Sequence, residues 1–383
     1  MSISSSLILY VGLDVHKETI VIAVLPQHAD KCTRVDRVAN TPKALRRYFQ
    51  RLAEEGEIRA CYEASGAGYV LQRAMREWGY SCEVIAPSLI PQQPGHRRKH
   101  DRYDAKQLAR YYRSGELTPV RIPTEAEERV RDLVRCRTTF QRQLLRARHF
   151  VLKFLTRRGL RYEAGKCHWT RTHHRWLEQL ARTGVLVAED ALVFAEYLAL
   201  MHYAQQRRDA LDHEVEKLAL APALAAGVGR LTCFRGLNTA AAVTLMTEIV
   251  DWRRFSKPTQ LMAYLGLVPC ENSSADTERR FAITKAGNSH CRHVLIQAAW
   301  AYRHAPRVGA ALRRRQHGQP PEVISHAWKA QHRLHKLYQH LAFRKGAQVA
   351  VTAVARELVG FVWAVMQDCP VAEHLIAPAE QAA

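Results

Sequence analysis

Apolar and polar positions divide the first hundred residues into short strands and helices. Residues 7–14 (LILYVGLD) are an apolar run that ends in an acid, and 19–25 (TIVIAVL) are a β-branched run. The polar HKE between them predicts a hairpin. Residues 33–38 alternate as a third strand. Between 42 and 55, Leu45, Tyr48, Phe49 and Leu52 recur on one helical face, and Pro42 suits the first turn. A strand over 58–62 is followed at once by Glu63, a helix is expected over 69–78, and a strand over 82–85. A loop rich in Pro, Gly and basic residues spans 87–100, and 101–114 reads as a helix. Strands alternating with helices in this way predict a mixed α/β sheet.

Pro119 and Pro123 mark a boundary, after which a long helix is expected over 125–158. Its apolar residues repeat in sevens, with Leu133, Phe140, Ala147 and Phe154 on one row. Val130, Leu144 and Val151 form the other row, which Arg137 interrupts. This is a coiled-coil-like seam with a basic outer face. Residues 159–186 read as irregular, basic and aromatic, and 188–220 as a second helix. The pair predicts either an antiparallel helical arm suited to dimerisation or two ordinary amphipathic helices packed on a domain.

From about 226, the turn Arg235-Gly236-Leu237-Asn238 lies between two short helical patterns. Helices are expected over 258–269 and 289–303, with a polar loop at 271–288. Residues 303–345 carry ten Lys or Arg against one acid, Glu322, and the last 15 or so residues should fray. The implied domains are 7–124, 125–225, a mainly helical 226–345, and a C-terminal helix and tail, 346–383.

Charge narrows the partners. In 383 residues, 57 Lys and Arg face 36 Asp and Glu, a net of +21. A surplus this large repels itself unless a polyanion binds, so nucleic acid is the leading partner. The nine Cys are odd in number and include no C-x-x-C pair, which fits reduced thiols in a cytoplasm better than a disulfide framework. No apolar run reaches about 18 residues, so no membrane span is expected. Cys167, His168, His173 and His174 match no standard zinc spacing. His326, His332, His335 and His340 suit phosphate contact or a solvated helix face better than a metal. Trp169 and Trp176, set among Arg and His, could stack on bases or anchor a core.

The acids are the chemically informative residues. Asp14 and Glu63 each end a strand; if those strands are adjacent and parallel, both carboxylates emerge at one sheet edge, where α/β sites form. Asp101 and Asp104 share a helix face. Arg97, Arg98, Lys99, Arg102, Lys106, Arg110 and Arg113 surround them. Converging like charges need a counter-ion, and magnesium suits hard oxygens and bridges to phosphate.

The stretches VGLDVHK (Val11 to Lys17), CYEASG (Cys61 to Gly66) and HDRYDA (His100 to Ala105) resemble the motifs of a RuvC-like, RNase H-fold nuclease domain. Together they resemble the DEDD-type insertion-sequence transposases. In the second half, LTCFRGLNTAAAVTLMTEI (Leu231 to Ile249) resembles a helix-hairpin-helix element, in which Asn238 would take left-handed geometry. FSKPTQLMAYLGLVP (Phe255 to Pro269) and ITKAGNSHCR (Ile283 to Arg292) resemble the C-terminal transposase domain of the same family.

The resemblance implies that Asp14, Glu63, Asp101 and Asp104 bind Mg2+. It implies a serine nucleophile, Ser274, with Ser273 beside it and Ala275 where the family usually has Gly. Arg97, Arg98 and Lys99 would hold nucleic acid, and Arg279, Arg280 and Lys285 the scissile phosphate. It further implies double-stranded DNA as substrate, a noncoding bridge RNA that selects donor and target, and a dimer or tetramer. The rival expectations are a metal-dependent branched-DNA resolvase that uses the acids alone, and an inactive transposase remnant that only binds nucleic acid.

Overall fold

The computed structural model describes residues 7–91, 101–165, 167–271 and 280–369, with two compact units, Met1–Pro123 and Thr124–Ala383. Ser273, Ser274, Ala275 and Arg279 lie outside the described residues, as do Arg97, Arg98, Lys99, His100 and the small, polar C-terminal stretch.

In the first unit, β1 (Ile8–Val15), β2 (Thr19–Pro26) and β3 (Arg34–Ala39) form a meander. Then follow α1 (Pro42–Ala53), β4 (Glu57–Glu63), α2 (Val70–Glu77), β5 (Ser81–Ile85) and α3 (Asp101–Ser114). The strand order is β3-β2-β1-β4-β5, antiparallel from β1 to β3 and parallel from β1 through β4 to β5. This mixed five-stranded sheet is consistent with an RNase H-like domain.

Side chains alternate along each strand and so sort the sheet into two faces. Leu9, Val11, Leu13, Ile20, Ile22, Ala60 and Tyr62 pack with Leu45 and Phe49 of α1 and Met75 of α2. Thr41 caps α1 by accepting from the Ala44 amide, and Pro42 begins its first turn. On the opposite face, Val21 and Ala23 meet Ala105 of α3, and Cys61 and Ile85 meet Leu108.

Gly12 sets how closely α3 approaches that face. A Cβ there would lie 2.1 Å from the Ala105 carbonyl oxygen and 2.6 Å from the Ala109 nitrogen. Both neighbours are helix backbone, which cannot turn aside. Gly12→Val is therefore expected to lift α3 from the sheet, at a cost of about 3 kcal/mol. Urea denaturation would measure this, and an unchanged midpoint would rule the close approach out.

The second unit begins with α4 (Glu125–Arg157), whose N-terminus has a reciprocal capping box between Thr124 and Glu127. α5 (Arg171–Arg182) and α6 (Ala188–Ala219) follow. α4 and α6 run antiparallel: Arg137 bonds Asp212 at 2.6 Å, Phe150 stacks near Tyr197, and Phe154 stacks on Phe194. Arg137 thus answers an acid on the facing helix. The seam expected over Val130 and Leu133 shifts: both are half-buried, and Val134 is the buried residue of that turn. Phe140 is likewise half-buried, whereas Leu144, Ala147, Val151 and Phe154 of the two rows are buried as their spacing requires.

The segment read as irregular contains α5. Thr170 caps it by accepting from the His173 amide, and His173, Leu177 and Leu180 form its buried stripe. Trp169 and Trp176 are partly buried against the α4–α6 core, with the Arg148 guanidinium 4.9 Å over the Trp169 ring.

His173 is fully buried among Tyr162, Trp169 and Trp176, and its Nδ1 accepts from the Trp169 amide. Burial, with His168 and His174 nearby, lowers its pKa to about 4. In the unfolded chain a histidine titrates near 6.5, so above that pH both states are neutral and the folded state keeps its full stability. As pH falls from about 6.5 toward 4, only the unfolded chain gains the proton, and up to roughly 3 kcal/mol of stability is lost. Thermal melts across this range should slope less for His173→Phe than for the unsubstituted protein; parallel slopes would refute the assignment.

The remainder comprises α7 (Pro222–Thr232), α8 (Thr239–Ile249), α9 (Pro258–Tyr264), β6 (Pro269–Glu271), β7 (Arg280–Ile283), α10 (Ser289–Ala299), α11 (Ala310–Gln316), α12 (Pro321–Lys345) and α13 (Ala347–Gln367). The helix expected over 258–269 stops at Tyr264, and the chain then forms a β6–β7 hairpin. Asn238 is not left-handed. At φ −93° it is extended and caps α8 by accepting from the Ala241 amide, while Gly236 takes the positive φ of the turn. α13 has the length and composition of a membrane span, with a mean hydropathy of 1.7 over its best window. Its residues Val351, Val354, Leu358, Val359 and Val362 are nonetheless buried in the core with α8 and α10.

His326, His332, His335 and His340 do not converge. His326 packs on Phe361, His332 on Trp328, His335 meets the Tyr302 carbonyl, and His340 meets Arg344.

Candidate functional site

Strand register brings the acids to one edge. Leu13 pairs with Tyr62 across the parallel β1–β4 ladder, so the next residues, Asp14 and Glu63, end adjacent strands. Both have the parity of Gly12 and Cys61 and so belong to the α3 face. α3 runs back across this face with its first turn at the same edge. Asp101 lies one turn before Ala105, which packs on the sheet, so the buried stripe of α3 continues directly into the acid. Asp104 lies three residues on, in the same first turn.

Three side chains form one compact group of ligand atoms: Asp14, Asp101 and His16, all within 4.8 Å of one another. His16 Nε2 is 3.1 Å from Asp14 Oδ2 and 3.6 Å from Asp101 Oδ2. Glu63 and Asp104 stand outside this group, Glu63 exposed and Asp104 half-buried. Among the described residues no other group of three His, Cys, Asp or Glu comes as close, including Cys167, His168, His173 and His174.

His16 and Arg37 had not been singled out from the sequence. Arg37 belongs to the row of Asp14, since Asp14 pairs with Val21 and Val21 with Arg37. Its Nη2 donates to Asp101 Oδ2 at 3.4 Å. The signal for His16 was its place two residues after Asp14; Arg37 could be found only once the β2–β3 register was known. Arg102, Lys106 and Arg110 recur every fourth residue on α3 and are exposed, a stripe suited to a phosphate backbone.

Two carboxylates and an imidazole within this spacing fit a divalent cation, because each contributes a lone pair and the acids offset the cation's charge. Among the described residues, His16 faces Asp14 and Arg37 donates to Asp101.

In the second unit, the Gly266-Leu267-Val268-Pro269 turn interlocks with the turn before α10. Thr284 N donates to Val268 O at 2.9 Å, and Asn288 N to Tyr264 O at 3.2 Å. Gly287 has φ +71°, and a Cβ there would sit 2.0 Å from Tyr264 O. Lys285 is exposed at φ +56°. These contacts close the open base of the β6–β7 hairpin, the end away from the connection, 272–279, in which the sequence puts the two serines.

Behind the turn, Glu248 is 3% exposed. It accepts from Arg135 Nε at 2.7 Å and Nη2 at 3.0 Å, and from Asn288 Nδ2 at 2.8 Å, while Asn288 also caps α10. Burial pushes the Glu248 carboxyl up, but bonds and charge from Arg135, with Asn288 and Arg131, bring it net below its ordinary value. Glu248→Ala would strand these donors between α4, α8 and α10 and should cost about 3 kcal/mol. Chemical denaturation would detect this, and a loss below about 1 kcal/mol would contradict the role given to the pair.

Two family models match the chain. One, described as a transposase of the DEDD IS110 type, covers residues 11–158. The other, the transposase IS116/IS110/IS902 family, covers residues 229–313. A putative transposase of Sinorhizobium fredii, y4qE, is 39% identical over 94% of this chain and 88% of its own length. The transposase for insertion sequence element IS1533 of Leptospira borgpetersenii is 30% identical over 87% of this chain and 96% of its own length. The transposase for insertion sequence element IS1111A of Coxiella burnetii is 26% identical over 62% of this chain and 64% of its own. Acids at one sheet edge, a second matched region in the C-terminal half, and relatives that align over nearly the whole length converge on one conclusion: the chain belongs to the IS110 family of DEDD-type insertion-sequence transposases, enzymes that act on DNA.

Proposed function

We propose that this transposase cuts and rejoins double-stranded DNA through two centres: Mg2+ held by Asp14, Glu63, Asp101 and Asp104, and the hydroxyl of Ser274. The carrying observation is that Asp14 and Asp101 bring carboxylate oxygens to within 4.8 Å at the end of β1, beside the strand end of Glu63. A cation bound there would stabilise the negative charge that builds on phosphate oxygens during transfer.

The protein's own part is positioning and nucleophilic attack. Ser274 Oγ bonds to a DNA phosphorus, a bond from that phosphorus to a deoxyribose oxygen breaks, and the departing oxygen takes a proton. A hydroxyl of the new partner strand later attacks the same phosphorus and releases the serine. Each step exchanges one phosphate ester for another, so no external energy source is required. Arg97, Arg98 and Lys99 would hold the backbone, and Arg279, Arg280 and Lys285 the scissile phosphate.

Guidance by a bridge RNA is supported by family membership and by the net charge of +21. Assembly as a dimer or tetramer is supported by the apolar side chains that α6 and its approach leave exposed, among them Val187, Leu192 and Tyr203. The proposed division is a RuvC-like domain at 7–124, a coiled-coil arm at 125–225, a transposase domain at 226–345 and a C-terminal helix and tail.

The test is to incubate protein, candidate guide RNA and DNA with Mg2+, denature, and look for protein covalently linked to DNA. A Mg2+-dependent linked band is expected. Cleavage of branched DNA without a band would favour a resolvase, and salt-sensitive binding without breakage a binding-only remnant.

A further inference from the structure

His16 is part of the acid cluster yet has no place in a four-carboxylate metal site. Its ring nitrogen lies 3.1 Å from Asp14 Oδ2 and 3.6 Å from Asp101 Oδ2, inside the one compact group of ligand atoms among the described residues. The backbone that carries it is tied down. His16 N donates to Thr19 O at 3.0 Å, closing the β1–β2 hairpin, and Asn40 Nδ2 donates to His16 O at 2.8 Å. Asn40 N donates in turn to Glu18 O at 2.9 Å, so the loop after β3 braces the hairpin turn. These bonds fix the backbone from which the imidazole projects beside Asp14 and Asp101.

We infer that His16 is an inner-sphere ligand at the cation site, so that the site has mixed nitrogen and oxygen donors and takes Mn2+ in preference to Mg2+. This rests on the metal-dependent reading above and adds a ligand to it. Imidazole contributes a softer lone pair than carboxylate; Mn2+ accepts it readily, whereas Mg2+ holds to oxygens and water. Asn40 then acts as a positioning residue, setting the imidazole beside Asp14 and Asp101.

The experiment uses the full chain and the metal alone. Mn2+ is bound and its electron spin echo is examined for modulation by a directly coordinated imidazole 14N, while calorimetry gives Mn2+ and Mg2+ affinities. The unsubstituted protein should show the nitrogen modulation. His16→Asn should lose it and bind Mn2+ at least about tenfold more weakly, while Mg2+ affinity moves by less than about threefold. His16 is exposed, so this substitution should leave the fold intact, which circular dichroism would verify.

Mn2+ bound without nitrogen modulation, or bound as tightly or more tightly in His16→Asn, would overturn the assignment while leaving the metal site standing. The second of these results would mean that the imidazole merely competes with the cation for the acids. If the protein binds Mn2+ no better than Asp14→Asn does, the metal-dependent reading fails as well.

Discussion

Asp14→Asn is expected to reduce Mg2+-dependent strand breakage by at least about a thousandfold while leaving the fold essentially unchanged. The residue is the last but one of β1 and is about a fifth exposed, with its side chain on the α3 face. Asparagine has the same size and shape, so the close approach of α3 at Gly12, two residues earlier, is undisturbed. What changes is charge. Asp14 and Asp101 stand close together, answered by His16 and Arg37. Neutralising one carboxylate relieves repulsion in the metal-free protein, so the melting temperature should hold or rise slightly. It also removes an anionic oxygen that a divalent cation needs, so metal affinity and catalysis should fall together. A cleavage assay in Mg2+ paired with a thermal melt separates the two effects. Full activity in Asp14→Asn would dismiss the acidic site, and a lower melting temperature would show that Asp14 supports the fold instead.

Legibility followed the range of the interaction that fixes each feature. The strands β1, β2, β4 and β5 were visible because their apolar runs are local and are punctuated by polar residues or by Asp14 and Glu63. That β1 and β4 are neighbours and parallel could only be posed as a condition, since strand pairing is not written in either segment alone; the ladder meets that condition. Arg37 lay beyond reach for the same reason: it joins the acids through two successive strand registers.

Other misses had local causes. α5 was hidden by its aromatic and histidine content, although Thr170 at its cap and the spacing of His173, Leu177 and Leu180 carried the pattern. β6 and β7 span three and four residues, too few for a period of two to show. Asparagine suits both a left-handed turn position and a helix cap, and nothing local to Asn238 separates the two; the chain uses it as the cap of α8. In α4, the capping box at Thr124 and the Arg137–Asp212 pair explain the shifted seam: a charged partner on α6 draws Arg137 inward, and the preceding turn buries Val134 rather than Leu133.

Ser274→Ala should abolish the covalent protein–DNA species, with recombination falling by about four orders of magnitude or more, while Ser273→Ala keeps both. The two serines are adjacent in the connection between β6 and β7, and the Thr284–Val268 and Asn288–Tyr264 backbone bonds close the opposite, open end of that hairpin. A nucleophile must present one oxygen at one angle to phosphorus, so a hydroxyl one residue away is not expected to serve in its place. Loss of Oγ from the correct residue leaves metal and DNA binding in place. Ser274→Ala should therefore still bind Mn2+ and retain salt-sensitive DNA binding at the level of the unsubstituted protein. Denaturing electrophoresis of reactions with both variants reads the outcome directly. Loss of the adduct in Ser273→Ala alone would transfer the role to that residue. An adduct that survives both substitutions would end the serine mechanism, and the acids at the end of β1 would then have to activate a different nucleophile.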